Sequence, residues 1–197
     1  MKKFGEKKFD IPKLKGISEK TIEEHLKLYA GYVKNANSIL ERLGELYPDK
    51  DERSQEISEL QRRFAFEFGG MRNHEYYFSA FKGGPKGPDV SGPVYGGLEE
   101  EFGMFDEWLA RFKNLAATRG VGWAMLYYDP HSNRFLNQWV DEQHLNHLAS
   151  CHIILALDMW EHSYVADYQP SGKKQYIEDF FENLNWEVIE QNFTNIK

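Results

Sequence analysis

Residues 153–162 read I-I-L-A-L-D-M-W-E-H. The apolar run Ile153–Leu157 has the length of a short buried strand. Asp158 follows at once, which places its carboxylate at the end of that strand. An uncompensated carboxylate in such a place is costly, and a cation is its natural partner. His162 comes four residues later, past a turn, with Trp160 between the two as an aromatic wall. The alternative is a surface loop of ordinary acidic residues. Apolar residues on both sides, 153–157 before and Tyr164 and Val165 after, weigh against it.

Moving outward, Gly122–Tyr128 and Phe135–Val140 read as two more strands about a turn at 129–133. Residues 174–193 carry helical spacing, interrupted near Asn183–Asn185. Leu98–Ala117 reads as one helix, with Phe102, Phe105, Leu109 and Phe112 spaced for burial. Before it, residues 83–97 (G-G-P-K-G-P-D-V-S-G-P-V-Y-G-G) form the clearest linker in the chain.

The region before that linker predicts two long amphipathic helices behind an irregular arm, residues 1–17. Ser18 is an N-cap with Glu19 in the first turn. Ile22, His25, Leu26, Tyr29, Tyr32, Val33, Ala36 and Leu40 then recur at three- and four-residue steps. Pro48 and the charged residues 49–52 end that pattern. Ile57, Leu60, Phe64, Phe68, Met71, His74, Phe78 and Phe81 start a second one. Gly69–Gly70 inside it costs about 1 kcal/mol per glycine against alanine, and marks a close approach of something bulky. The class is α+β: an N-terminal antiparallel helical hairpin over 1–84, a linker over 85–97, and an α+β unit with strands and helices over 98–197.

The chain has 197 residues, 41% of them hydrophobic and 15% aromatic, enough for a packed interior. A net charge of −7 argues against nucleic-acid binding, which needs a basic field, and gives an anionic substrate no long-range attraction. Cys151 is the single cysteine, so no intrachain disulfide is expected and a reducing compartment is the default. The first residues lack the apolar core of a signal peptide, and no run approaches the ~20 apolar residues of a membrane span. A cytoplasmic protein is expected.

Of seven histidines, His25 and His74 stand out because each falls on the apolar face of its helix. Two helices packed by those faces bring both imidazoles into one interior, where unpaired polar groups are costly. With Asp158 and His162 they make a mixed nitrogen and oxygen set. Such a set suits iron, manganese, zinc or nickel, and ligand type alone does not choose among them. Structural zinc more often uses cysteine, and there is no HExxH pattern of a zinc hydrolase.

D-M-W-E-H-S-Y at 158–164 resembles the C-terminal ligand signature of the iron/manganese superoxide dismutases. Y-I-E-D-F-F-E-N-L-N-W at 176–186, G-G-M-R-N-H at 69–74 and G-V-G-W-A-M-L at 120–126 resemble further segments of that family in the same order. I-S-E-K-T-I-E-E-H at 17–25 and Y-A-G-Y-V-K-N-A-N at 29–37 resemble its first helix. The resemblance implies a helical hairpin followed by a three-stranded antiparallel sheet with helices. It implies one iron or manganese ion per chain, iron preferred, held by His25, His74, Asp158 and His162. The implied substrate is superoxide and the implied assembly a homodimer or homotetramer. Tyr32 matches a tyrosine guarding the substrate channel, and Trp123 and Trp160 match aromatics enclosing the metal. Glu161 matches a glutamate that bonds a ligand histidine of the partner subunit.

The departures are specific. The stretch from His25 to Tyr32 is one residue shorter than the family usually has. Leu28 and Val165 occupy places where relatives often carry a histidine and a tyrosine bonded across the dimer interface, so an apolar contact is expected instead. For the residue that hydrogen-bonds solvent at the metal, some members use a glutamine on the second helix, where this chain has Gly70. Others use a residue before the third strand, here within D-E-Q-H-L-N-H at 141–147. His144 is the expected choice, with Gln143 and His147 behind it.

Overall fold

The computed structural model describes residues 2–196. The Ser18 hydroxyl accepts from the Thr21 amide and starts α1, Glu19–Leu46. The chain turns through Tyr47–Asp49 and enters α2, Ser54–Ser79. The helices are antiparallel: Tyr29 meets Glu75, Asn35 meets Glu67 and Arg42 meets Glu56, with one number rising as the other falls. Their facing sides are those the periodicity selects, with Ile22, His25, Tyr29, Val33, Met71, His74 and Phe78 all buried.

The arm before α1 is stitched down rather than loose. The Phe4 amide donates to Asn37, and Lys15 and Asn183 exchange two hydrogen bonds. The linker is shorter than expected. Pro93 sits in the first turn of α3, Pro93–Phe102, so residues 93–97 are helical, Pro93 lacking only an N–H that no helix start uses. The single helix expected over 98–117 is two. Gly103, at φ +92°, ends α3, and α4 runs Phe105–Ala116. The left-handed backbone at Gly103 is open to glycine and strained for other residues.

Strands β1 (Gly122–Asp129), β2 (Arg134–Asp141) and β3 (His152–Asp158) form one antiparallel sheet in the order β2-β1-β3. Leu126 pairs with Leu155 but Tyr127 pairs with Ile153, which leaves Ile154 as an extra residue in β3. That bulge's free carbonyl accepts from Asn192. After Asp158 come a one-turn helix at Glu161–Ser163, α5 (Val165–Tyr168), α6 (Lys173–Asn183) and α7 (Trp186–Thr194). The break between α6 and α7 lies at Leu184–Asn185, within the expected interruption. The hairpin packs on the sheet chiefly through α2 against β3, so the end of β3 opens onto the buried face of α2. No helix among the described residues is long and apolar enough to cross a membrane.

Candidate metal centre

Four elements bring the expected ligands together. His25 comes from the second turn of α1, His74 from α2, Asp158 from the last position of β3 and His162 from the turn beyond it. One potential ligand atom from each residue lies within 4.8 Å of all the others. The three imidazole Nε2 atoms surround a single carboxylate oxygen, Asp158 Oδ2, at 3.0 Å (His25), 3.2 Å (His162) and 3.6 Å (His74). Bonds of about 2.0–2.2 Å to a common first-row ion separate neighbouring donors by roughly 3.0–3.6 Å. Asp158 is fully buried, and its other oxygen accepts from the Trp160 amide at 2.8 Å.

The protons decide what this cluster needs. His74 Nδ1 is 2.6 Å from the Gly70 carbonyl, which can only accept, so Nδ1 carries the hydrogen. Burial, with the neighbouring His25 adding to it, pushes the His74 pKa down to about 3, so the ring is neutral and Nε2 is a bare lone pair. That nitrogen is buried, has no hydrogen-bond donor, and faces a carboxylate oxygen. Two acceptors pointed at each other in a dry interior repel, and a cation between them removes the conflict. Burial alone would raise the Asp158 pKa. Its attraction to and hydrogen bonds with His162 and His25 outweigh that and hold it below the ordinary carboxylate value. Burial likewise lowers the pKa of His25 and keeps that ring neutral, so a metal at Nε2 would displace only the proton that this nitrogen shares with Asp158. The residues fit a divalent or trivalent first-row metal.

Aromatic side chains close the site. Trp123 stands edge-on to His74, with ring centroids 5.0 Å apart, and Trp160 stacks on His162 at 5.7 Å. Tyr77 and Phe78 flank His25 at 5.1 and 4.9 Å. The Asp158 main-chain carbonyl accepts from Tyr176 and Ser163. Sequence reasoning did not assign Tyr77, Phe78, Tyr176 or Ser163 to the site. Only the helical spacing of Phe78 hinted at burial.

Tyr32 lies at the edge of this enclosure, its ring 5.1 Å from that of His74. The seven residues from His25 to Tyr32 make about two turns, so both project from nearly the same side of α1. The Tyr32 hydroxyl accepts from Gln143 Nε2 at 3.0 Å, and Gln143 Oε1 accepts from Trp123 Nε1 at 2.9 Å. The structure therefore brings Gln143, not His144, to Tyr32. Gln143 is wholly buried. The His144 ring packs against Phe66, its Nδ1 is 4.0 Å from the Glu142 carboxylate, and it hydrogen-bonds to neither Tyr32 nor any of the four ligands. The left-handed backbone of Glu142, φ +51°, turns the loop so that these two neighbours face different ways. Glycine provides the room: a Cβ at Gly69 would overlap the Gln143 carbonyl oxygen, and one at Gly70 would overlap the Tyr32 ring. Glu161 is exposed in the single chain, as is Leu28, and Val165 is half-buried.

Comparisons with known proteins agree with this geometry. Residues 11–82 match the family model for the alpha-hairpin domain of iron/manganese superoxide dismutases, and residues 90–192 match that for their C-terminal domain. The chain belongs to the iron/manganese superoxide dismutase family. An iron superoxide dismutase of Cupriavidus metallidurans is 34% identical over 187 residues, covering 92% of this chain and 90% of that one. One from Aquifex pyrophilus is 33% identical, covering 91% of this chain and 85% of its own. A manganese superoxide dismutase of Mycobacterium lepraemurium is 31% identical, covering 86% and 81%. Members named for either metal thus lie at similar distance from this family member.

Proposed function

We propose that the chain is a superoxide dismutase holding one iron or manganese ion through His25, His74, Asp158 and His162. The observation that carries the reading is the buried approach of His74 Nε2 to Asp158 Oδ2, two electron-pair donors 3.6 Å apart with no proton between them. A redox metal in that place supplies one-electron exchange: one superoxide is oxidised to dioxygen, and a second is reduced and takes two protons to leave as hydrogen peroxide.

The remaining roles belong to the chain. Asp158 contributes the one anionic group among the four ligands. Trp123, Tyr77 and Phe78 keep bulk water from the two helix-borne imidazoles. We assign to Gln143, in preference to His144, the hydrogen bond to solvent at the centre, because Gln143 is the group linked to both Tyr32 and Trp123. Since the Tyr32 oxygen accepts from Gln143, its own proton is free to be donated. Burial first, then the nearby Asp158 and Glu67 charges, raise the Tyr32 pKa, so the hydroxyl stays protonated at neutral pH and can donate. Trp160 stacks on His162 and keeps that ring in place.

Iron is placed ahead of manganese on the names of the two more similar relatives reported above. The free Cys151 fits a reducing compartment such as the cytoplasm. A second copy would pair Glu161 with the partner's ligand histidine and bring Leu28 and Val165 into apolar contact. Sedimentation equilibrium should show a dimer or tetramer, and a monomer at all concentrations rules that assembly out. For the activity, metal content and superoxide dismutation are measured on wild type and on His162→Ala. About one iron or manganese per chain, with both metal and activity lost on substitution, is expected. Zinc alone, or no activity after reloading with iron or manganese, defeats the proposal.

A further inference from the structure

We infer that His147, held in turn by Tyr127, is a positioning residue that fixes the Gln143 main chain and thereby the solvent-bonding amide. The Gln143 carbonyl oxygen has two donors, Asn73 Nδ2 at 3.0 Å and His147 Nε2 at 3.2 Å. A carbonyl only accepts, so His147 Nε2 carries the ring's proton. Nδ1 is then a lone pair, and the Tyr127 hydroxyl, 2.5 Å away, donates to it in preference to the weaker acceptor at 3.2 Å, the Met125 sulfur. Burial lowers the His147 pKa and keeps the ring in the neutral form that this arrangement requires.

Tyr127 and Trp123 lie four residues apart on β1, so their side chains leave the same face of the strand. Trp123 holds the side-chain oxygen of Gln143, and Tyr127 holds its main-chain oxygen through His147. One strand face thus grips the same residue at both ends. The grip opposes strain: Glu142, the residue before Gln143, has φ +51°, a conformation that persists only when the surroundings over-determine it. The β3 bulge falls beside Tyr127, and bulges re-aim side chains near sites.

The inference rests on the assignment of Gln143 above, and the test separates the two. His147→Leu, His147→Gln and Gln143→Ala are compared for metal content, kcat and the reduction potential of the bound metal. His147→Leu should keep its metal, lower kcat about tenfold, as outer partners of metal sites do, and shift the potential in the same direction as Gln143→Ala. His147→Gln keeps an N–H for the carbonyl and should recover most of the loss. In the metal-free protein, the Leu145 amide of His147→Leu should exchange hydrogen roughly fivefold faster, the worth of one lost hydrogen bond. Wild-type kcat and potential in His147→Leu, with both altered in Gln143→Ala, overturn the role of His147 alone. Unchanged values in Gln143→Ala overturn the Gln143 assignment, and the inference falls with it. Should His147→Leu fail to fold, Tyr127→Phe removes only the hydroxyl. A potential shifted toward that of Gln143→Ala then supports the inference, and a wild-type potential overturns it.

Discussion

The ligand cage and the loop that supplies Gln143 touch each other, yet the chain holds them by different means. His25 and His74 stand inside helices of 28 and 26 residues, and Asp158 ends a paired strand. Their backbones are fixed by the regular hydrogen bonds of those elements. Gln143 sits in a turn whose own ties are the paired main-chain bonds between Asp141 and Leu145 and one from Glu142 to Val121. Its position is set by side chains from α1, α2 and β1. On the proposed reading, the cage would decide whether a metal is held and the loop how the held metal behaves.

That contrast can be broken at the cage first. Asp158→Ala leaves three imidazoles with no anion, and elemental analysis should find metal retention reduced by more than the ~10–100-fold typical of an outer partner. If the variant keeps its metal, the cage does not depend on its only charge. Next is the loop. Gly69→Ala pushes a methyl group into the Gln143 carbonyl, at a cost of about 1–3 kcal/mol. It should keep near-normal metal content while dismutation falls by about tenfold or more. Loss of metal in step with activity would erase the distinction. The smallest effect tests the scaffold. Ser18→Ala removes the cap of α1 at a cost of ~1 kcal/mol, which in a chain of this size lowers Tm by roughly 2–4 °C. Calorimetry should show that shift with metal and activity unchanged.

The same contrast explains what could be read in advance. His25 and His74 were visible because a regular helix turns spacing into direction, and a histidine on an apolar stripe is conspicuous. Asp158 was visible because five apolar residues precede it. Which residue of the loop before β3 reaches Tyr32 was not. His144 and Gln143 are adjacent in a polar stretch without periodicity, and which one faces Tyr32 depends on left-handed backbone at Glu142, a residue that seldom adopts it. The break of one expected helix into α3 and α4 was hidden likewise, since Phe102, Phe105 and Phe112 keep helical spacing across Gly103. The Gly69–Gly70 pair did announce a close approach, but not of what: one glycine admits the Gln143 main chain and the other the Tyr32 ring.

The cage draws its donors from both halves of the chain and seals three of them, with His25, His74 and Asp158 each at most 1% exposed. His162 is the one partly exposed member of the set, so for an ion held by all four a swing of that ring alone would leave three buried donors in place. Full release would then call for the hairpin to part from the sheet, and the metal in a purified sample would carry a record of supply at folding as well as of affinity.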